Sequence, residues 1–351
     1  MVKANVMTGA LPLGEVAGFS HRCAEAGFTG MVVTEAGRTA YLTCAAAALS
    51  GAGLELATGI AVAFPRSPMV TAATAWELAE VSGGRFRLGI GPQVRAHIER
   101  RYSAPFDPPG PRLREYVLAL RAVFRAFRGE EQLAFDGRYY SFSLLPPMWS
   151  PGPIDAADPP IDLAAVNPWM LRMAGEVADG VHVHPLNTTA YYRETLLPHL
   201  GHGVAESGRH PRQITLFVPL FTVVGDTEEE RAHWREMCRT MIAFYGSTPN
   251  YSFIFDQLGF PGTTARLRAA QRGGDPAGMA SAVPDSLLAH FVVEGSWDAL
   301  PERIAARCAE LRPYDVQAVL YLAGPAARQR DGSFERFGDV GASLARVTLG
   351  D

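Results

Sequence analysis

Lysine is almost missing from this 351-residue chain: Lys3 is the only one, and arginine supplies the rest of the positive charge. With a formal net charge of −4 and no lysine-rich segment, a nucleic-acid-binding surface is not expected. Cysteine is scarce as well. Cys23, Cys44, Cys238 and Cys308 are scattered without metal-ligand or redox spacing, which fits packing roles in a reducing cytoplasm and excludes a disulfide framework. No apolar run approaches the roughly 18 residues of a membrane span, and no charged segment followed by an apolar stretch opens the chain. Neither membrane insertion nor export is therefore expected. Also missing are a Gly-x-Ser-x-Gly elbow, a Walker loop and a catalytic cysteine constellation, so a covalent mechanism has no candidate. At 48% hydrophobic and 19% charged residues, the composition is that of a globular protein with a large core, not of a disordered chain.

What the sequence does contain is an alternation of short apolar runs with amphipathic segments. The stretch from Ser82 to Tyr102 is the informative one: a turn (Ser82, Gly83, Gly84) feeds an apolar strand, Phe86 to Ile90, which stops at Gly91-Pro92 because proline has no N–H for a ladder. Gln93, Arg95, His97, Glu99, Arg100 and Arg101 follow at once. A strand that delivers titratable groups at its C-terminal end is the active-site pattern of a parallel α/β barrel; the plainer reading is a solvated helix start with Arg95/Glu99 as i,i+4 neighbours. Further strands are expected at Lys3 to Thr8, Phe28 to Thr34, Leu54 to Phe64, Ile161 to Val166, Gly180 to His184, Ile214 to Val224 and Val316 to Leu322. The third alternates large residues (Leu56, Thr58, Ile60, Val62, Phe64) with small ones (Ala57, Gly59, Ala61, Ala63), and the small face admits either a flat ring or a packed neighbour. Helices are expected between the strands. The clearest carries Leu113, Val117, Leu120, Phe124 and Phe127 on one stripe, with Arg114, Arg121, Arg125 and Arg128 on a solvated face.

Eight strands alternating with helices predict an α/β fold, a single (β/α)8 TIM barrel spanning residues 1–351. A doubly wound open sheet is the alternative, and no Gly-x-Gly-x-x-Gly follows the first strand to support it. Two segments break the period: 133–160, a hairpin signal at Asp136-Gly137 followed by a proline-rich loop, and the glycine-rich 246–288. Both are expected to be insertions, and the loop Pro146 to Pro160 and the segment 246–288 are expected to cover the mouth.

On a barrel the strand ends bring together Glu35, Gly59 to Phe64, Gln93 to His97, Ala165 to Asn167 and the pair His182-x-His184. A spacing of two puts both imidazoles on one strand face. They could be metal ligands, but no further ligand set is evident on neighbouring strand ends. They could hydrogen-bond a substrate or shuttle a proton, since imidazole titrates near neutral pH, or simply pack. Hydride chemistry at such a mouth needs an external redox carrier.

The segments Ser82-Gly83-Gly84-Arg85-Phe86-Arg87-Leu88-Gly89-Ile90-Gly91, Thr58-Gly59-Ile60 through Pro68, Ala164-Ala165-Val166-Asn167-Pro168, Ala174 to Gly180 and His182-Val183-His184-Pro185 together resemble the bacterial luciferase-like superfamily. The nearest branch is the oxidoreductases that use the deazaflavin coenzyme F420. The resemblance implies a flavin or deazaflavin across the mouth, over a strand-3 bulge with a non-prolyl cis peptide at Gly59-Ile60, with Ala61 beside it. It implies a phosphate against the backbone of Gly91, Pro92, Gln93 and Val94 and of Ala165, Val166 and Asn167, with Arg95 as counter-charge. Glu35 matches a strand-2 position near the ring, and His97, His184 and Glu35 are the candidate proton donors. Two departures stand out: Asn167 replaces a common glycine, and Val94 replaces the catalytic glutamate of the sugar-phosphate dehydrogenase branch, as Ala36 replaces its histidine. The expected function is hydride transfer between reduced F420 and a small organic substrate. The alternatives are an FMN-dependent two-component monooxygenase with a partner flavin reductase, and a non-catalytic flavin-binding relative. The resemblance also implies a cytoplasmic enzyme that can form a homodimer.

Overall fold

A computed structural model describes residues 2–329, 331–347 and 349. Its strands are β1 (Lys3–Gly9), β2 (Gly30–Thr34), β3 (Glu55–Thr58, resumed at Ala61–Val62), β4 (Phe86–Gly91), β5 (Ile161–Ala164), β6 (Gly180–His182), β7 (Thr215–Val224) and β8 (Asp315–Leu320). All pair in parallel, each with its neighbours in sequence. β8 returns to β1, and β6 joins β7. The sheet is therefore closed, and the fold is a (β/α)8 barrel rather than an open doubly wound sheet. A short extra strand, Val292–Gly295, extends β7 on its far end from Phe221 to Val224.

The strand period of two sorts side chains to two sides. Outward-facing Met31, Val33, Leu56, Leu88, Ile90, Leu163, Val181, Leu216, Val218 and Leu320 join the main core under the helices. Inside the barrel, Val32, Ala57, Phe217 and Val319 form a small separate cluster with Met7 against it. The rest of the lumen is polar: Asn5 Nδ2 donates to Gln317 Oε1 at 3.0 Å, Arg87 holds Asp162 with contacts of 2.6 and 2.9 Å, and His182 Nε2 is buried without a hydrogen-bond partner. Glycine makes room for one of these lumen groups. A Cβ on Gly89 would lie 1.9 Å from the Thr58 carbonyl and 2.4 Å from His182 Nε2, so His182 fits inside the barrel only because β4 has no side chain there.

The helix Pro109–Arg128 buries its predicted stripe completely, but its arginines are not simply a solvated face. Arg121 grips Asp179 at 3.0 Å. Arg128 donates to the carbonyls of Ile154 and Ala156 and to Asp158 Oδ1. Together with Trp76 Nε1, which donates to the Gly152 carbonyl, this latches the loop 150–158 beside the helix C-terminus, just before β5 begins at Ile161. The expectation that Pro146 to Pro160 covers the mouth is thereby corrected. The loop enters a strand at its N-terminal end, whereas the active-site face of such a barrel lies at the C-terminal ends. The hairpin before it (Phe135–Asp136 with Ser141–Phe142) instead hangs on Glu115, whose carboxylate accepts the N–H groups of Arg138, Tyr139 and Tyr140. Segment 246–288 carries short helices, among them Ser252–Gln257 and Thr263–Arg272. It reaches the C-terminal end of β6, where Tyr251 meets His184.

Candidate active site at the barrel mouth

The site begins with an interruption in β3. Its ladder stops at Thr58 and resumes at Ala61, which pairs with Ile90, while Val62 pairs with Gly91. The peptide between Gly59 and Ile60 is cis. The uniform alternation from Leu54 to Phe64 read from the sequence is thus broken. Ala57 faces the lumen, but Gly59 and Ile60 form a bulge that resets the register beyond it. On the mouth side of the bulge the surface is low and apolar: a Cβ on Gly91 would meet Ala164 Cβ at 3.1 Å and Ile60 Cδ1 at 3.2 Å.

Glu35, at the end of β2, anchors this bulge. One of its oxygens accepts the Val62 N–H at 2.7 Å and Arg66 Nη1 at 3.0 Å, and the other accepts Arg66 Nη2 at 2.6 Å. The carboxylate is 4% exposed, and the Arg66 guanidinium lies over the Tyr41 ring at 5.0 Å. Both oxygens of this carboxylate are occupied as acceptors, twice by arginine and once by backbone. Its placement makes Glu35 a positioning residue rather than a proton donor. Arg66 escaped the sequence reading because nothing local marks it: it lies in Pro65-Arg66-Ser67-Pro68, a turn-like stretch, and meets its partner only through the fold.

The two histidines part company. β6 ends at His182. His182 stacks on Phe217 with ring centres 4.6 Å apart, and its Nε2 is 4.0 Å from Asp162 Oδ2. His184 lies beyond the strand, half-buried between Tyr251 and Tyr245, with ring centres 4.0 and 5.2 Å away. Burial pushes both imidazoles down to about 3, helped at His182 by the positive charge of Arg87. Both are thus moved away from the neutral-pH titration expected of a free imidazole, since burial leaves the cation poorly solvated. His184 Nδ1 accepts the Leu186 N–H at 3.1 Å, so its own proton resides on Nε2. His97 is exposed on the short helix Arg95–Arg100, and the structure does not gather it with His184 and its tyrosines.

The two loops expected to hold a phosphate are already partly engaged. Gln93 has a positive φ of 58°, and its side-chain oxygen takes the Val94 N–H at 3.0 Å. Arg95 is exposed and pairs with Asp107 and with Glu99, the i,i+4 contact of the plainer reading, so its charge is already matched. Gly91 and Ala165 are buried, and the Val166 carbonyl accepts the Tyr191 hydroxyl at 2.8 Å. Asn167 caps the helix Pro168–Val177 by accepting the Met170 N–H at 3.0 Å, which explains the asparagine where glycine was expected. Asn167→Ala is accordingly expected to cost about 1 kcal/mol and Asn167→Gly only a few tenths, read from urea unfolding. No loss in either variant would mean that the cap bond contributes nothing.

Residues 2–313 match the family model described as luciferase-like monooxygenase. This chain belongs to that family. An uncharacterized protein of Mycobacterium tuberculosis is 37% identical over 282 residues, covering 80% of this chain and 83% of its own. Among solved structures, the coenzyme F420-dependent tetrahydromethanopterin reductase from Methanopyrus kandleri aligns with a TM-score of 0.75 at 20% identity, over 96% of this chain and 97% of that one. The FMN-bound oxygenating constituent of 3,6-diketocamphane monooxygenase from Pseudomonas putida aligns at 0.65 and 14% identity, over 98% of each.

In this luciferase-like chain the side of the mouth opposite the bulge is aromatic, and the sequence reading passed over it. Tyr245 ends the helix Glu228–Gly246, Tyr251 lies in the turn beyond, and Tyr321 follows β8. None belongs to a motif. Only Tyr321, one step past the strand run VQAVL, has a position from which a mouth residue is legible. No helix among the described residues is long and apolar enough to cross a membrane.

Proposed function

We propose that the protein is an oxidoreductase that moves a hydride between the reduced deazaflavin coenzyme F420 and a small organic substrate. The observation that carries this reading is the bulge at Gly59–Ile60, fixed from behind by Glu35 and Arg66. With Gly91 and Ala164 it forms a low apolar shelf at the C-terminal end of the barrel, where a flat tricyclic ring can lie against backbone. The anion sites favour F420 over FMN. A phosphate monoester, with up to two charges, calls for free N–H donors and an unmatched cation. Here Gln93 fills the Val94 N–H, Asn167 fills the helix terminus and Arg95 already faces two carboxylates. The singly charged phosphodiester of F420 makes the smaller demand. When bound, the deazaflavin supplies a hydride carrier that reacts poorly with oxygen. Glu35, Ile60, Gly91 and Ala164 would hold and level its ring.

Titration of the purified protein with F420 and separately with FMN, followed by ligand fluorescence, tests this reading. Tight F420 binding with weak FMN binding is the expected result. A preference for FMN would replace it with a two-component monooxygenase that needs a partner flavin reductase. Binding of neither ends it.

A further inference from the structure

Across the mouth from the bulge, two phenols from separate segments meet. Tyr245 Oη and Tyr321 Oη are 2.7 Å apart, with their rings nearly perpendicular at 84°. Each is held by a second aromatic contact: Tyr245 stands edge-on to His184 at 5.2 Å, and Tyr321 packs on Phe221 at 4.8 Å. Burial pushes both phenols up, and their mutual hydrogen bond raises Tyr321 while lowering Tyr245. Either hydroxyl can donate in this bond, so the pair keeps one further hydroxyl proton for a third partner, and Tyr245 is the member beside the mouth histidine. Burial lowers the proton affinity of the neighbouring His184, and its Nδ1 is already taken by the Leu186 N–H. Tyr321 also lines an open cleft of about 470 Å³ between the helix Glu228–Gly246 and the chain after β8, beside Met237, Met241 and Leu322. The pair thus has one end against the mouth histidine and the other on a cleft that water can enter.

We propose that Tyr245 is the proton donor of this active site, that Tyr321 relays protons to it from the cleft, and that the substrate is an aldehyde or ketone. This rests on the hydride-transfer reading above. A reduced deazaflavin held at the bulge would supply the hydride, with its electron pair, that forms the C–H bond at the carbonyl carbon. The C=O π pair moves to oxygen, and the Tyr245 O–H bond breaks as its proton forms the alcohol O–H. The phenolate on Tyr245 takes the Tyr321 proton along their hydrogen bond, and water in the cleft restores Tyr321. The two electrons that reduce the carbonyl would come from the deazaflavin, and the net proton comes from solvent.

The test uses Tyr245→Phe and Tyr321→Phe, which keep the rings, with urea unfolding to verify their folds. In the cofactor-free protein, 4-nitrophenol at mildly alkaline pH serves as a coloured oxyanion probe. The wild type is expected to bind its anion about tenfold or more tightly than Tyr245→Phe, the scale of a hydrogen bond to a charged acceptor, with Tyr321→Phe in between. In the F420-loaded enzyme, turnover of a carbonyl substrate should fall by about 10²–10⁴-fold in Tyr245→Phe, while F420 affinity by fluorescence stays unchanged. No anion binding by the wild type, or equal binding by Tyr245→Phe, overturns the inference. Discrimination of the anion without F420 binding would leave the phenol site standing and sink the cofactor reading instead. F420 binding with undiminished turnover in Tyr245→Phe would do the reverse.

Discussion

Replacing Arg66 by alanine is expected to lower the unfolding free energy by about 3–5 kcal/mol, the cost of leaving a buried charge without its partner. It should also weaken F420 binding. The argument rests on an asymmetry within the pair. The Glu35 carboxylate is 4% exposed and the Arg66 side chain 23%. Without Arg66, Glu35 must stay ionised in an apolar setting, take up a proton, or swing out and release the Val62 N–H that fixes the bulge. Without Glu35, the guanidinium can rehydrate through its exposed part and keeps its contacts with the Val62 carbonyl and the Tyr41 ring. Glu35→Gln, which retains an acceptor for Val62, should cost least. Urea unfolding and F420 titration of Arg66→Ala, Glu35→Ala and Glu35→Gln order the three. A Glu35→Gln variant that binds F420 normally but has lost all turnover would restore Glu35 to the role of acid. Near-normal turnover supports positioning alone.

The architecture was readable because it is written in local periodicity. The runs at Phe86 to Ile90, Ile161 to Val166 and Thr215 to Val224 are mostly apolar on both faces, as buried strands are, with Arg87 and Asp162 as polar exceptions that pair inside the lumen. The helix at Pro109–Arg128 declares its stripe within its own sequence. The bulge was legible only through family resemblance, since Gly59-Ile60 looks from periodicity like two more residues of an alternating strand. What stayed hidden depends on contacts between distant segments. Arg66 reaches across 31 residues to Glu35, and Tyr245 reaches across 76 to Tyr321. Composition also misleads about direction. The proline-rich run before β5 looks like a lid, yet Arg128 and Trp76 tie it beside the far ends of the strands. The polar patch after β4 looks like a catalytic cluster, but Arg95 and His97 lie on the exposed face of a short helix, where they cost nothing to solvate. The histidines show the converse: their residue type suggested a neutral-pH switch, and only their burial reveals that they are kept uncharged.

That burial has a measurable consequence. Acidification from pH 7 to about pH 5 should cost the protein about 2 kcal/mol through His182 alone. The free imidazole value is 6.5 and the folded value about 3, so the native state binds fewer protons than the unfolded chain at every pH between them. A group depressed on folding contributes its stability above the unfolded value and loses it as pH falls toward the folded one. His184 is shifted the same way but is half-buried, and water at the mouth reduces its share. The groups facing His182 do not offset the loss. Arg87 repels its cation, and Asp162, 4.0 Å away, has its charge committed to Arg87. A protonated His182 would also be trapped under Gly89 and against Phe217, with no space to turn toward solvent. Urea unfolding at several pH values in this range tests this, with His182→Asn as the control. The variant should be less stable at neutral pH, because it loses the stack on Phe217, yet lose less on acidification than the wild type. If the two fall in parallel, the acid sensitivity belongs to other groups, and the barrel interior tolerates an imidazolium after all.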